Sequence, residues 1–153
     1  MNAPLTEAEA ILALAGERGL RKSLPYAGEV TPEEAFRLYS AANAKIVDVR
    51  SRFEHQHIGR VPGSSLIVWK HWPGGEFNAR FLPELRDRCA TGDIVLFLCR
   101  SGVRSHSAAA VAAAAGYTQA FNILEGFEGD LNEHGQRGHL GGWRKAGLPW
   151  RQC

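Results

Sequence analysis

Residues Ile94-Val95-Leu96-Phe97-Leu98 are an unbroken apolar run of strand length. A run with no polar alternation belongs in a sheet whose two faces are both covered. After a short turn, Ser105-His106-Ser107-Ala108 opens an Ala-rich stretch that reads as a helix to Ala115, with Gly116 as its stop. A buried strand feeding a helix through a short turn is a unit of α/β architecture, and the remaining sequence repeats that alternation. Thr6-Glu7-Ala8-Glu9 has capping-box form and predicts a helix over about 6–15, ending near Gly16. Arg18 to Gly28 reads as a linker. Thr31-Pro32-Glu33-Glu34 is a second capping box with Pro at the first helical position, predicting a helix to about Ala41. Ile46-Val47-Asp48-Val49, Leu66-Ile67-Val68 and Ala120-Phe121-Asn122-Ile123 read as strands, and Phe81 to Cys89 as a helix. The expectation is an α/β fold: one domain whose largely parallel central sheet carries helices on both faces.

The bulk properties exclude several classes. A chain of 153 residues suits one core, burying roughly two thirds of its unfolded surface. Its 18 basic and 16 acidic residues leave a formal charge of +2 with the basic positions scattered. No nucleic-acid stripe is therefore expected. No segment approaches the ~20 apolar residues of a membrane span, and the N-terminus lacks a basic leader. Cys89, Cys99 and Cys153 are odd in number and widely spaced, which fits neither a disulfide framework nor a zinc knuckle. A reducing, cytoplasmic setting follows as an expectation. His55, His57 and His71 lack a completing cysteine or carboxylate spacing, so neither a metal nor a cofactor is expected.

The chemistry concentrates at Cys99. It lies at the carboxyl end of the buried strand, where open α/β sheets bind ligands. Gly102 lets the connecting N–H groups turn inward as an anion cradle, and the following helix adds its positive end. Arg100 and Arg104 place two fixed cations in the same turn. A free cysteine ionises near pH 8.5, whereas surroundings of this kind bring cysteines to about 3.5–7.5. The thiolate is the nucleophile, and once it is formed no general base is needed, so nearby His106 is not required. Cys89 lacks this context and reads as packing, Cys153 as an exposed terminal thiol. Trp69, Trp72, Trp143 and Trp150 read as core or rim aromatics.

Cys99-Arg100-Ser101-Gly102-Val103-Arg104 resembles the active loop of rhodaneses, in the thiosulfate-type form Cys-Arg-x-Gly-x-Arg/Thr. Arg100 and Arg104 depart from the mercaptopyruvate-type form Cys-Gly-Ser/Thr-Gly-Val-Thr. Val47-Asp48-Val49-Arg50 with Glu54 is similar to the family's Asp-Val-Arg segment. Gly59-Arg60-Val61-Pro62-Gly63-Ser64 is similar to its Gly-His-Ile-Pro-Gly-Ala turn, with Arg60 in place of His. Trp143 with Ala146-Gly147-Leu148-Pro149 resembles the family's C-terminal ending. The likeness spans about residues 28–150, with an insertion at about 127–142. It leaves residues 1–27 as an N-terminal helix and linker and 151–153 as a tail.

The resemblance implies a sulfurtransferase: Cys99 takes the outer sulfur of thiosulfate as a persulfide and passes it to cyanide or a thiol. Arg100, Ser101, Gly102, Val103, Arg104 and Ser105 would hold the anionic donor. Asp48 and Arg50 would support from the strand end, either orienting the loop or holding the fold. The insertion, carrying His134, Arg137 and His139, reads as a solvated excursion, a pocket rim or a contact in a homodimer. Two other functions stay open. One is a persulfide carrier or partner-binding module. The other is a cysteine phosphatase or arsenate reductase, whose Cys-x5-Arg loop would need an arginine where this chain has Ser105.

Overall fold

The computed structural model describes residues 3–41 and 44–153. In chain order its elements are α1 (Glu7–Arg21), β1 (Gly28–Val30), α2 (Pro32–Ala41), β2 (Lys45–Asp48), β3 (Ser65–Leu66), α3 (Phe81–Arg88), β4 (Val95–Leu98), α4 (Val103–Ala114) and β5 (Ala120–Ile123). The five strands form one all-parallel sheet in the order β1-β5-β4-β2-β3. The apolar run of β4 is thus the central strand, and its Val95 to Leu98 are fully buried. Successive residues point to opposite faces. Ile46, Leu96, Leu98, Phe121 and Ile123 pack with Ile11 and Ala15 of α1 and Ala35 and Leu38 of α2. Val47, Val95, Phe97 and Ala120 face the other way, onto Phe81 and Leu85 of α3 and Ala108, Ala109 and Ala112 of α4. The expected α/β class, with helices on both faces, is the observed one.

Local chemistry explains most boundaries. Both capping boxes form: Thr6 and Glu9 exchange side chain-to-backbone bonds, as do Thr31 and Glu34. Gly116, with φ +104°, follows the end of α4. Four boundaries differ from expectation. The first helix runs on past Gly16 to Arg21, because Ile11, Ala15 and Gly19 make one buried stripe and Arg18 is held by Glu34 and the Glu29 carbonyl. The supposed linker therefore shrinks, and β1 begins at its end, paired with β5. The strand expected at Leu66–Val68 is instead Ser65–Leu66; beyond it the Ile67 and Trp69 N–H groups still donate to the Asp48 and Val49 carbonyls (2.9 and 3.1 Å), and Asn78 Nδ2 donates to the Val68 carbonyl (2.8 Å). Finally, α4 begins at Val103 rather than Ser105, which brings Arg104 into its first turn.

Residues 127–142 are not a surface excursion throughout. Phe127 and Trp143 are fully buried in the α1/α2 layer. The Phe127 N–H donates to the Cys99 carbonyl (2.8 Å), and those of Glu128 and Gly129 donate to the Arg100 carbonyl (3.0 and 3.2 Å). The beginning of this segment therefore forms the floor of the Cys99 loop. A Cβ at Gly126, whose φ is +64°, would lie 2.5 Å from the Arg100 carbonyl, so only glycine allows this approach.

Candidate active site

Cys99 is the first residue past the central strand and is 1% exposed. Its sulfur accepts the Gly102 N–H at 3.1 Å and lies 3.2 Å from Ser105 Oγ. Gly102 reaches that position with φ +109°, a left-handed conformation suited to glycine, and serves as N-cap of α4. The N–H groups of the first helical turn have no intrahelical acceptor, so those of Val103, Arg104 and Ser105 concentrate positive potential beside the sulfur.

Behind the loop stands a residue the sequence reading did not single out. Asn122, buried on β5, receives the Ser105 hydroxyl on Oδ1 (2.5 Å) and donates Nδ2 to the Gly102 carbonyl (3.1 Å). Both groups that touch the sulfur are therefore anchored by one side chain. The Ser105 hydroxyl has one proton and two acceptors to face, so it serves one at a time. With Cys99 as a thiol, S–H donates to Ser105 Oγ and the hydroxyl proton goes to Asn122. With Cys99 ionised, the hydroxyl turns to the sulfur.

The two loop arginines differ in environment. Arg104 forms a bidentate pair with Glu54 (2.8 and 2.9 Å). Burial pushes the Glu54 carboxyl up, but hydrogen bonds from Arg104 and from the Ser51 backbone and hydroxyl outweigh it and bring it down to about 2. Arg104 is correspondingly raised. Its charge is thus compensated from a single turn of π-helix, Glu54–Ile58. Arg100 is exposed and makes no ion pair among the described residues. A cavity of about 490 Å³ opens over the loop, lined by Arg100, Arg104 and Arg137 together with Phe53, Trp72 and Glu128 among others. Of the insertion's three singled-out residues, Arg137 reaches this rim, whereas His134 and His139 are exposed.

Asp48 and Arg50 are both fully buried. Arg50 donates Nε and Nη2 to the Asp48 carboxylate and Nη2 to the Gly59 carbonyl, and its guanidinium lies 4.4 Å from the Phe127 ring centroid. The pair connects the end of β2 to the ring whose backbone N–H holds the Cys99 carbonyl.

The other singled-out residues separate from this centre. His106 Nδ1 lies 2.6 Å from the Tyr26 hydroxyl. Burial pushes Tyr26 up to about 12, so it stays neutral at ordinary pH. His57 Nδ1 is 3.6 Å from the exposed Cys153 sulfur, while His71 lies beside Trp72 in a neighbouring cleft. Among the described residues, no three His, Cys, Asp or Glu side chains converge as a metal site. Cys89 is buried, which pushes its thiol up. Trp69 and Trp143 are core residues, and Trp72 is 75% exposed at the cavity.

A buried parallel strand that ends in a cysteine whose sulfur accepts the Gly102 amide accords with the rhodanese resemblance of the sequence. The family model for the Rhodanese-like domain matches residues 31–133, and the chain belongs to that family. It is 46% identical to Rv0390 from M. tuberculosis, whose crystal structure aligns with a TM-score of 0.74 over 84% of this chain and 99% of that one. An uncharacterised protein of Rickettsia conorii is 35% identical across 74% of this chain and 88% of its own length. The thiosulfate sulfurtransferase GlpE of Actinobacillus succinogenes is 30% identical across 79% of this chain and 87% of its own length. Sulfurtransferases are thus among the chain's relatives, and no helix among the described residues is long and apolar enough to cross a membrane.

Proposed function

We propose that this protein moves the outer sulfur of thiosulfate to a thiophilic acceptor, cyanide or a thiol, through a persulfide on Cys99. The observation that carries the reading is the placement of the Gly102 amide and the Ser105 hydroxyl on one sulfur at the end of the central strand. Both donors stabilise negative charge there without a general base. In the first half-reaction the Cys99 thiolate attacks the outer sulfur. A new S–S bond forms, the S–S bond of thiosulfate breaks, and sulfite leaves with the electron pair. In the second, the acceptor's lone pair attacks the terminal sulfur, and the Cys99 thiolate departs unchanged. No external oxidant or reductant enters either half.

The backbone amides from Arg100 to Ser105 surround the persulfide in this scheme and Arg100 faces the donor, with Asp48 and Arg50 positioning the loop from below. The phosphatase alternative loses support because Ser105, in place of an arginine, is buried and bonded to Asn122. Three free cysteines fit a reducing, cytoplasmic setting.

Intact mass after incubation with thiosulfate tests the reading. Wild type should gain about 32 Da, one sulfur atom, and lose it on adding cyanide, while Cys99→Ser gains nothing. An equal gain in the variant would move the chemistry to another thiol. Steady thiocyanate production would distinguish turnover from a single relay.

A further inference from the structure

Arg104 is the loop cation that the motif offers for holding an anion, yet both of its terminal nitrogens face Glu54. Arg144, beside the same rim, lies 3.8 Å from Glu128 and stacks on Phe127 and Trp150. Two cations that line the cavity have no carboxylate partner among the described residues: Arg100 and Arg137. They belong to segments far apart in sequence, and the backbone joins them. The Gly129 N–H donates to the Arg100 carbonyl (3.2 Å), and the Gly129 carbonyl accepts Arg137 Nη1 (2.8 Å). The Gly138 N–H, next to Arg137, bonds the Glu128 carbonyl (2.9 Å) and closes the insertion back onto the same strip. Arg137 is therefore tethered relative to the Cys99 loop while most of its five donors stay available.

We infer that Arg137, with Arg100, forms an anion-binding site in the cavity beside the Cys99 loop, and that the Arg104–Glu54 pair is a brace of the loop. The ligand class is a small oxyanion carrying or replacing a transferable sulfur, such as the sulfonate end of a donor. The planar guanidinium of Arg137 suits two oxygens of such a group. The insertion at 127–142 thereby contributes a specificity-determining residue from outside the Cys99 motif. The inference rests on the sulfurtransferase reading for its substrate, but its electrostatic content is independent of turnover.

Two measurements on the full chain test it, read separately. First, Cys99 is alkylated with anionic iodoacetate and with neutral iodoacetamide, and labelling is followed on the Cys99 peptide so that Cys89 and Cys153 do not interfere. Arg137→Ala should lower the iodoacetate-to-iodoacetamide rate ratio about tenfold, with the iodoacetamide rate within about twofold of wild type. Arg37→Ala, an exposed charge on α2, should leave the ratio unchanged. Second, Arg137→Ala should raise KM for thiosulfate about tenfold and leave the saturated rate of persulfide formation within about twofold, with partial recovery in Arg137→Lys.

An unchanged ratio in Arg137→Ala overturns the inference even if thiosulfate chemistry proceeds. A fallen iodoacetamide rate does the same, because it would mean that Arg137 shapes the loop rather than attracting the anion. A fallen ratio in a protein that takes no sulfur from thiosulfate would leave the anion site standing and sink the sulfurtransferase reading.

Discussion

Replacing Glu54 by Gln tests the brace assigned to the Arg104–Glu54 pair. The substitution keeps the side-chain shape and one acceptor but removes the charge. The Glu54 carboxyl falls from 4.5 to about 2 in the folded protein. At about 1.4 kcal/mol per pKa unit, a shift of that size sets a ceiling of about 3.4 kcal/mol at neutral pH. Arg104 and Glu54 keep 25% and 17% of their side-chain surface exposed, so solvent screening applies. A contribution of about 1–2 kcal/mol is therefore expected. Because the folded pKa is depressed, the stabilisation is complete above about pH 5 and disappears as pH falls through about 2, with roughly half gone near pH 3. Urea unfolding of wild type and Glu54→Gln at pH 7 and pH 3 isolates this term, since other carboxylates titrate alike in both proteins. The difference should be about 1–2 kcal/mol at pH 7 and about half that at pH 3. A difference that stays constant with pH would show that the pair does not hold Glu54 ionised, and the brace would lose its electrostatic basis.

Three further outcomes follow from the site. Arg50→Leu leaves the Asp48 carboxylate buried without its guanidinium and should cost about 3–5 kcal/mol in a denaturant titration; a loss under 1 kcal/mol would mean that water reaches Asp48. Gly126→Ala drives a Cβ into the Arg100 carbonyl at a left-handed φ, so a loss of about 2–3 kcal/mol and slower Cys99 alkylation are expected; wild-type behaviour in both would separate residue 126 from the loop. Ser105→Ala removes a hydrogen bond from the sulfur and strands Asn122 Oδ1. It should slow Cys99 alkylation at pH 7 several-fold and cost about 1–3 kcal/mol in unfolding. An unchanged rate would leave the Gly102 amide as the only protein hydrogen-bond donor of consequence at the sulfur.

The sequence was most informative where one physical requirement dominates. The apolar run of β4 and the alanines of α4 have few other places to go, and both capping boxes announce their helices. The Cys99 loop was legible for the same reason, since cysteine, glycine and helix start adjoin in the chain. What escaped depends on partners distant in sequence. Strand β1 is three residues long and is defined by its pairing with β5. The π-turn at Glu54–Ile58 has no buried residue to mark it. Glu54 meets Arg104 across 50 positions and Asn122 meets Ser105 across 17. Those separations follow from strand order, which no local pattern encodes. The helix that outran Gly16 belongs here too, because packing against the sheet outweighs a modest glycine cost of about 1 kcal/mol.

The loop floor consists of backbone N–H groups from Phe127 to Gly129, whereas Arg137, which lines the neighbouring cavity, comes from further along the same segment. The backbone that holds the loop and the cation offered to an anion are therefore separable stretches of chain. On the sulfurtransferase reading, lengthening or recharging the part of the rim that Arg137 supplies would change which donor is admitted while the backbone that holds the Cys99 loop stays where it is.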